Sequence, residues 1–461
     1  MFSYLKRGRG FYSDMVRLAI PIIMQNLITN SLGLIDTVMI GMLGETPLAG
    51  VTLANIPIFV VLLLVFGIQS GSSVLISQHW GKGDTETINR VVGIGFYISG
   101  GIALVFALGM FFFAEPFMGL FGNDAEVVAV AARYARIVGF SYVFDGITQV
   151  YVAAHRSMEN PKLGMYLLSV AMVSNTFLNW VLIFGNLGAP ALGVEGGAIA
   201  TLTARIIGFC VMVVYAVTNK RFRLQPALFL RPGRELLGRF ARYATPVVLN
   251  ETLWGLGTSL YPTVMGHMEG SKEILAAFAI SGNIEKICTV AVFAVAGTAA
   301  IIVGREIGAG RRESIYEVGA ALNTVAFLAG LAVGGVMLLL IPTVMVPFVY
   351  PVFGLSESAA GISSMMLTMT CTFLAVRSFN TTNIVGVLRG GGDVRAAALL
   401  DLGPLWCCSL PLVALTGLVW QVGIFWVYLS TFAENVVKFF FGMKRFRSGE
   451  WIHDVTVEMK N

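Results

Sequence analysis

Asp36 lies inside an apolar stretch long enough to cross a bilayer. The segment Arg17 to Leu43, RLAIPIIMQNLITNSLGLIDTVMIGML, holds that one acid and no base after Arg17. A charged side chain at hydrocarbon depth costs about 2.5–3.5 kcal/mol on insertion scales, so such a residue marks a route for a proton, an ion or a substrate. At helical pitch Gln25, Thr29, Gly33 and Asp36 fall on one face. That is a polar stripe ending on a titratable group. Pro21 removes a backbone donor near its start and is expected to bend the helix. The plainer alternatives are hydrogen bonding between helices and an acid close enough to the helix end to reach the interface.

Other polar residues lie at spacings that could serve the same chemistry. Asn175 and Asn179 are four apart, and so are Thr201 and Arg205, which places each pair on one helix face. If these helices meet the first one, Asp36 gains amide and hydroxyl neighbours, and Arg205 is expected to pair with it. Glu251 lies nearly halfway along a later stretch, shares a face with Gly255, Thr258 and Pro262, and has no base within a turn of its own helix. It therefore reads as a second candidate proton site. Asn283, Glu285 and Lys286 follow in the outer part of the next stretch, where partners or water are expected. Arg377 needs an acid, with Glu251 and Asp401 as candidates, and Asp145 is either a second internal acid or an interfacial one. The four histidines, His79, His155, His267 and His453, are scattered, and no HExxH or Ser/His/Asp grouping forms; an enzyme is not expected. The five cysteines all lie in apolar segments without metal-ligand spacing and read as small core residues.

The elements that position these residues follow from composition. The chain has 461 residues, 56% hydrophobic and 12% charged, with a mean hydropathy of +0.78; soluble chains carry about 25% charged residues. Apolar runs of about 18 residues or more recur throughout, and lipid leaves the backbone no partners except its own helix. The expected fold class is an all-α integral membrane protein with twelve transmembrane helices at roughly 15–43, 52–78, 91–113, 137–155, 163–185, 195–218, 238–266, 277–304, 315–341, 360–387, 395–418 and 421–441. Placing both termini in the cytoplasm puts nearly all of the 31 Lys and Arg residues at inner loops and span ends. The exceptions are Arg133, Arg136 and Lys272 outside, and Arg205, Lys286 and Arg377 deeper within spans. The N-terminal MFSYLKRGRGFYSD is short, basic and followed by a full-length span, as expected of a cytoplasmic tail and not a signal peptide. The net charge of +5 suits anionic lipid headgroups and suggests no nucleic acid.

The two halves of the chain resemble each other. PIIMQNLITNSLGLIDTVMIG from Pro21 lies against PVVLNETLWGLGTSLYPTVMG from Pro246, with Asp36 opposite Tyr261. LAGVTLAN at 48–55 resembles LAAFAISG at 275–282; Gly81 and Gly83 match Gly308 and Gly310; Glu115-Pro116-Phe117 resembles Val346-Pro347-Phe348; Arg156 falls opposite Arg389. Six spans per half give parallel lobes related by a pseudo-two-fold axis along the membrane normal. The expected division is an N-lobe over 1–218, a cytoplasmic linker over 219–237 carrying Lys220, Arg221, Arg223, Arg231 and Arg234, and a C-lobe over 238–461.

These features together resemble the MATE (multidrug and toxic compound extrusion) family. The opening IPIIMQNLITNSLGLIDTVMIGMLGETPLAGV, QHWGKGD at 78–84, GREIGAGR at 304–311 and VLRGGGD at 387–393 are similar to its motifs. The resemblance implies cation-coupled efflux of small organic cations and drugs from the cell through the inner (plasma) membrane, by a protein expected to be a monomer without a cofactor. It also implies a cation- or proton-binding site at Asp36, Asn175, Asn179 and Thr201, with Na+ admissible at Asp36, Asn175 and Thr201, and a second acid at Glu251. Asn179 departs from the branch that carries an acid there, and Ser378 or Asn380 stands where another branch has its tenth-helix acid. With one acid per lobe, H+ is expected over Na+ as the coupling ion. Gln25, Thr29, Tyr261, Arg205, Arg377 and Asn283 are candidates to line the substrate cavity, alongside a minority of the 20 Met and 32 Phe residues that suit flat apolar cations. The rival reading is a flippase for a lipid-linked oligosaccharide, which would call for a more basic cavity.

Overall fold

The computed structural model describes residues 7–220, 222–229 and 233–457. Twelve long helical elements run in order: α1 (Arg9–Gly41), α2 (Glu45–Lys82), α3 (Thr85–Met118), α4 (Ala125–Ser157), α5 (Lys162–Phe184), α6 (Gly193–Thr218), α7 (Arg234–Met265), α8 (Ser271–Gly308), α9 (Arg312–Leu340, extended by a π-helical segment Ile341–Val349), α10 (Glu357–Leu388), α11 (Val394–Val419) and α12 (Ile424–Ser448). Among the described residues eleven of these are long and apolar enough to cross a membrane. The twelfth, α7, has 32 residues but carries Arg239, Arg242, Asn250 and Glu251. The all-helical, twelve-span plan expected from the sequence is the one observed. Large apolar side chains such as Val105, Phe112, Leu339, Leu399 and Trp420 stand fully outward, the surface of a multi-pass membrane protein and not of a soluble one. Cys210 and Cys407 are exposed on that surface, so they are not the core residues expected.

Helix ends overrun the expected spans. α4 begins at Ala125, well before the expected 137, because Asp124 caps it: its Oδ1 accepts the Glu126 and Val127 N–H groups at 2.9 and 3.2 Å. Arg133 and Arg136 therefore ride on the helix, paired with Glu195 at 3.5 Å and Glu115 at 3.0 Å.

The chain forms two compact units, Pro21–Val248 and Met1–Ile20 with Leu249–Asn461. The cuts fall inside α1 and α7, beside the repeat-related Pro21 and Pro246. In the first unit α2 meets the opening half of α7 at Gly67 and Gly71; a Cβ on Gly71 would lie 2.5 Å from the Ala244 Cα. In the second unit Gly330 and Gly334 of α9 sit against the α10 backbone, and Gly386 of α10 and Gly390 just beyond it sit against Ala296 and Ala300 of α8. Each pair is a four-residue small-residue repeat, which permits close helix approach where lipid supplies no hydrophobic drive. The 219–237 connection is tied to α3: Asn89 accepts the Gln225 N–H at 3.0 Å and donates to the Arg223 carbonyl at 3.4 Å. Arg221 and Arg231 lie outside the described residues.

The repeat is visible in the backbone of the turns. Gly83 and Gly310 both close their helices in the left-handed region, at φ 80° and 74°. Asp84 N–H returns to the His79 carbonyl at 2.9 Å, and Arg311 N–H to that of Glu306 at 3.1 Å. The side chains of the same positions also pair, His79 with Asp84 at 3.1 Å and Arg311 with Glu306 at 2.6 Å, with the acid and the base exchanged between the halves. A second pair of turns follows α4 and α10. Asn160 N–H bonds the His155 carbonyl and Asp393 N–H that of Leu388, at 2.8 and 3.0 Å, with Glu159 at φ 61° where the other half uses Gly392 at φ 90°. Both matched prolines lie beside departures from α-helical geometry: Phe113, three residues before Pro116, leaves it, and Pro347 lies within the π-helical segment of α9.

A Cβ at Gly83 or Gly310 would meet nothing within 4 Å, so substitution there tests the backbone alone. Each Gly→Ala change should cost about 1–2 kcal/mol, with Asn milder, read as thermal melts of the purified protein in detergent. Asp84 caps α3. Partial burial acts to raise its carboxyl, but bonds from the Thr87 N–H and hydroxyl and the neighbouring His79 outweigh this and hold it below the usual range. Its contribution is therefore complete above the ordinary value of about 3.9 and fades as pH falls through the lower folded value. Asp84→Ala should cost about 1 kcal/mol at neutral pH, and the difference from wild type should shrink in acid.

Candidate functional site

Helices α1, α5 and α6 bring four of the expected residues into one hydrogen-bonded row. Asn179 Nδ2 donates to Asp36 Oδ1 at 2.6 Å and to Asn175 Oδ1 at 3.0 Å, and Asn175 Nδ2 donates to Thr201 Oγ1 at 3.1 Å. Asn175 and Asn179 are buried and Asp36 is half-buried. The spacing of four on α5 makes this possible, since both amides project from the same face. Asn179 spends both amide hydrogens in the row, while its Oδ1 is buried without a hydrogen-bond partner. A half-turn of that amide would exchange donor for acceptor. The group can therefore serve an ionised Asp36 as a donor or a protonated one as an acceptor.

Arg205 does not pair with Asp36 as expected. It forms an ion pair with Asp145 of α4 at 2.8 Å, although its charge still acts on Asp36. Asp145 is buried, so it is an internal acid and not an interfacial one. Two tyrosines that sequence reasoning missed complete this region from α4. Tyr134 lies near Thr201 and within electrostatic reach of Asp36, and Tyr142 within electrostatic reach of Arg205, Asp145 and Asp36. The eight-residue spacing of Tyr134 and Tyr142, near two helical turns, is the one sequence signal that pointed to them.

The remaining cavity candidates on α1 are engaged locally. Gln25 donates to the Pro161 carbonyl at the α4–α5 turn, and Thr29 back-bonds to the Gln25 carbonyl at 2.9 Å.

In the second unit Glu251 is paired with Arg389 at 2.7 Å, a partner the sequence did not suggest. Arg389 lies beyond the expected end of the tenth span at 387; in the structure helical backbone runs on from α10 through Arg389, and its side chain is buried. Asn250 Nδ2 donates to Asp401 at 3.0 Å, and Lys438 joins Asp401 and Glu434 at 2.7 and 2.8 Å. Arg377 takes Glu285 and not Glu251 or Asp401. Tyr261, opposite Asp36 in the repeat, is buried beside Leu405, Val413 and Val427, and Asn283 is exposed. The second unit thus holds a compensated charge network, the first an acid whose direct partner is an amide.

The family model described as MatE matches residues 21–181 and again 246–412. Each match starts at one of the two prolines that the internal repeat aligns. Among curated proteins the chain is 25% identical over 454 residues to the uncharacterized transporter YisQ of Bacillus subtilis, covering 97% of both chains. It is 21% identical over 441 residues to the probable multidrug resistance protein NorM of Thermotoga maritima, covering 95% of this chain and 92% of that one. Among solved structures, a MATE protein in complex with MaL6 superposes with a TM-score of 0.85 at 21% identity, covering 97% of this chain and 98% of that one. A MOP superfamily transporter from Pyrococcus furiosus gives 0.84 at the same identity and coverage.

Removing one partner of a buried ion pair strands the other, at about 3–5 kcal/mol, whereas removing both is far milder. Arg389→Met should therefore destabilise the protein on that scale, and Glu251→Gln in the same chain should recover most of the loss, measured by thermal melting.

Proposed function

The chain belongs to the MatE family, and from that premise we propose that it exports organic cations and related drugs across the membrane in exchange for protons. Asp36 is the exchange site in this reading. The observation that carries it is the hydrogen-bonded row Asp36–Asn179–Asn175–Thr201, in which the carboxylate faces an amide and no base. An organic cation and a proton compete for that carboxylate, and access to it alternates between the two sides of the membrane as the six-helix lobes, 1–218 and 238–461, rock. Protonation from outside weakens cation binding and releases the drug. Both termini are cytoplasmic and the membrane is the inner (plasma) one.

With its nitrogen turned toward Asp36, as in this structure, the Asn179 amide favours a proton over sodium. A sodium ion at Asp36, Asn175 and Thr201 would need their oxygens to converge on it, yet Asp36 Oδ1 and Asn175 Oδ1 both accept from the nitrogen between them, and nitrogen-bound hydrogens do not ligate cations. Glu251 is less suited to the exchange, since Arg389 already counters its charge. A flippase for lipid-linked oligosaccharides is disfavoured because Arg205, Arg377, Arg389 and Lys438, cationic side chains that could meet a pyrophosphate, are each engaged by an acid.

The energetics are adequate. One charge crossing 100 mV supplies about 2.3 kcal/mol, and one pH unit about 1.4 kcal/mol. A monovalent cation leaving against the potential cancels the electrical part, so a one-for-one exchange runs on about 1.4 kcal/mol per pH unit, close to tenfold accumulation.

In proteoliposomes, a pH gradient should drive efflux of ethidium and a sodium gradient alone should not. Asp36→Asn should abolish efflux while inserting and melting like wild type. Efflux that survives in Asp36→Asn would make Asp36 structural, and efflux driven by sodium alone would reassign the coupling ion.

A further inference from the structure

Three formal charges lie within electrostatic reach of one another in the first unit. Asp36 contributes one from α1, Asp145 one from α4 and Arg205 one from α6, and Tyr134 and Tyr142 of α4 are titratable side chains within the same electrostatic reach. From α5 come only amides, Asn175 and Asn179.

A guanidinium remains charged in a protein, so Arg205 pairs with whichever carboxylate it reaches. It reaches Asp145 at 2.8 Å, and Asp145 is further held by Gln149 at 3.4 Å. Thr201, at the end of the row that leads to Asp36, is one turn from Arg205 on α6, about 6 Å along the axis, a span an arginine side chain covers. The ion pair borders a small cleft that it shares with Thr148, Gln149, Ala171 and Gly208.

We propose that Asp145 is a positioning residue that holds Arg205 off Asp36, so that this unit keeps one net negative charge for a monovalent cation to occupy. The proposal rests on the efflux reading above and adds a charge rule to it. With Asp145 in place the three groups sum to one negative charge, and a site so poised selects ligands carrying a single positive charge. With Asp145 neutralised, Arg205 has Asp36 as its remaining acid, the sum is zero, and a cation finds no charge to meet. The rule also accounts for an arginine beside a site that takes cations.

The test is ethidium binding to purified full-length protein in detergent, with thermal melts to confirm folding. Asp145→Asn should weaken binding by about tenfold or more, the scale of one close charge pair. Asp145→Glu should bind like wild type. Arg205→Gln should bind at least as tightly as wild type, and Arg205→Gln combined with Asp145→Asn should regain binding to within about threefold of it. A merely structural ion pair predicts the contrary for Arg205→Gln, because losing either partner would loosen the site. Wild-type binding with a double variant no better than Asp145→Asn, or with Arg205→Gln weakened as much as Asp145→Asn, would overturn the proposal while leaving the efflux reading intact. Wild-type protein that binds no ethidium would overturn both.

Discussion

Hydrocarbon gives an ion nothing to bind, so a charged side chain within these spans must bring its own partner. Several charges among the described residues obey this constraint. Asp145 faces Arg205, Glu251 faces Arg389, Glu285 faces Arg377, and Asp401 and Glu434 share Lys438. Asp36 is treated differently. Its direct contact is the Asn179 amide, which stabilises a carboxylate without cancelling its charge. A group in that condition is poised to accept a cation, and the transport reading grows from that single difference.

The internal repeat shows how one backbone plan carries two kinds of chemistry. The turns after α2 and α8 share their left-handed glycine and their returning backbone bond, yet one is closed by His79 and Asp84 and the other by Glu306 and Arg311. The spans diverge further. Tyr261 occupies the position of Asp36 and is packed among Leu405, Val413 and Val427, and the second unit gathers its charges into a compensated network around Glu251 and Asp401. Backbone geometry is retained where the turn requires it, while the side chains are free to divide the work between an exchange site and a charge-compensated scaffold.

Most of the architecture was legible in the residues. Apolar run length and the Lys and Arg distribution yielded the twelve helices, and the spacing of four on α5 and on α6 grouped Asn175, Asn179 and Thr201 with Asp36. Partner choice was not legible. Arg205 was assigned to Asp36 because both lie on faces that could meet, but the rotation of α4 that presents Asp145 is set by packing at positions such as Gly146 against Ser99, which a helical wheel does not contain. Arg389 was hidden because it lies beyond the expected end of the tenth span, although helical backbone runs on from α10 through Arg389, a buried residue paired 138 positions away. The early start of α4 was missed for a similar reason: residues after Asp124 looked like an outer loop by charge, and the cap that begins the helix is a local bond, not a hydropathy signal. In membrane proteins the period and the polarity of a span are written plainly, while the identity of an ion pair depends on how helices rotate against each other.

The central claim is that a proton and an organic cation compete for the Asp36 carboxylate. It is tested most directly by adding ethidium to purified protein in weakly buffered detergent solution, near the pH at which the site is half protonated, and counting the protons released. The account predicts release that saturates together with cation binding in wild-type protein and is absent in Asp36→Asn. Cation binding by wild-type protein without any proton release, or release that persists unchanged in Asp36→Asn, would contradict it.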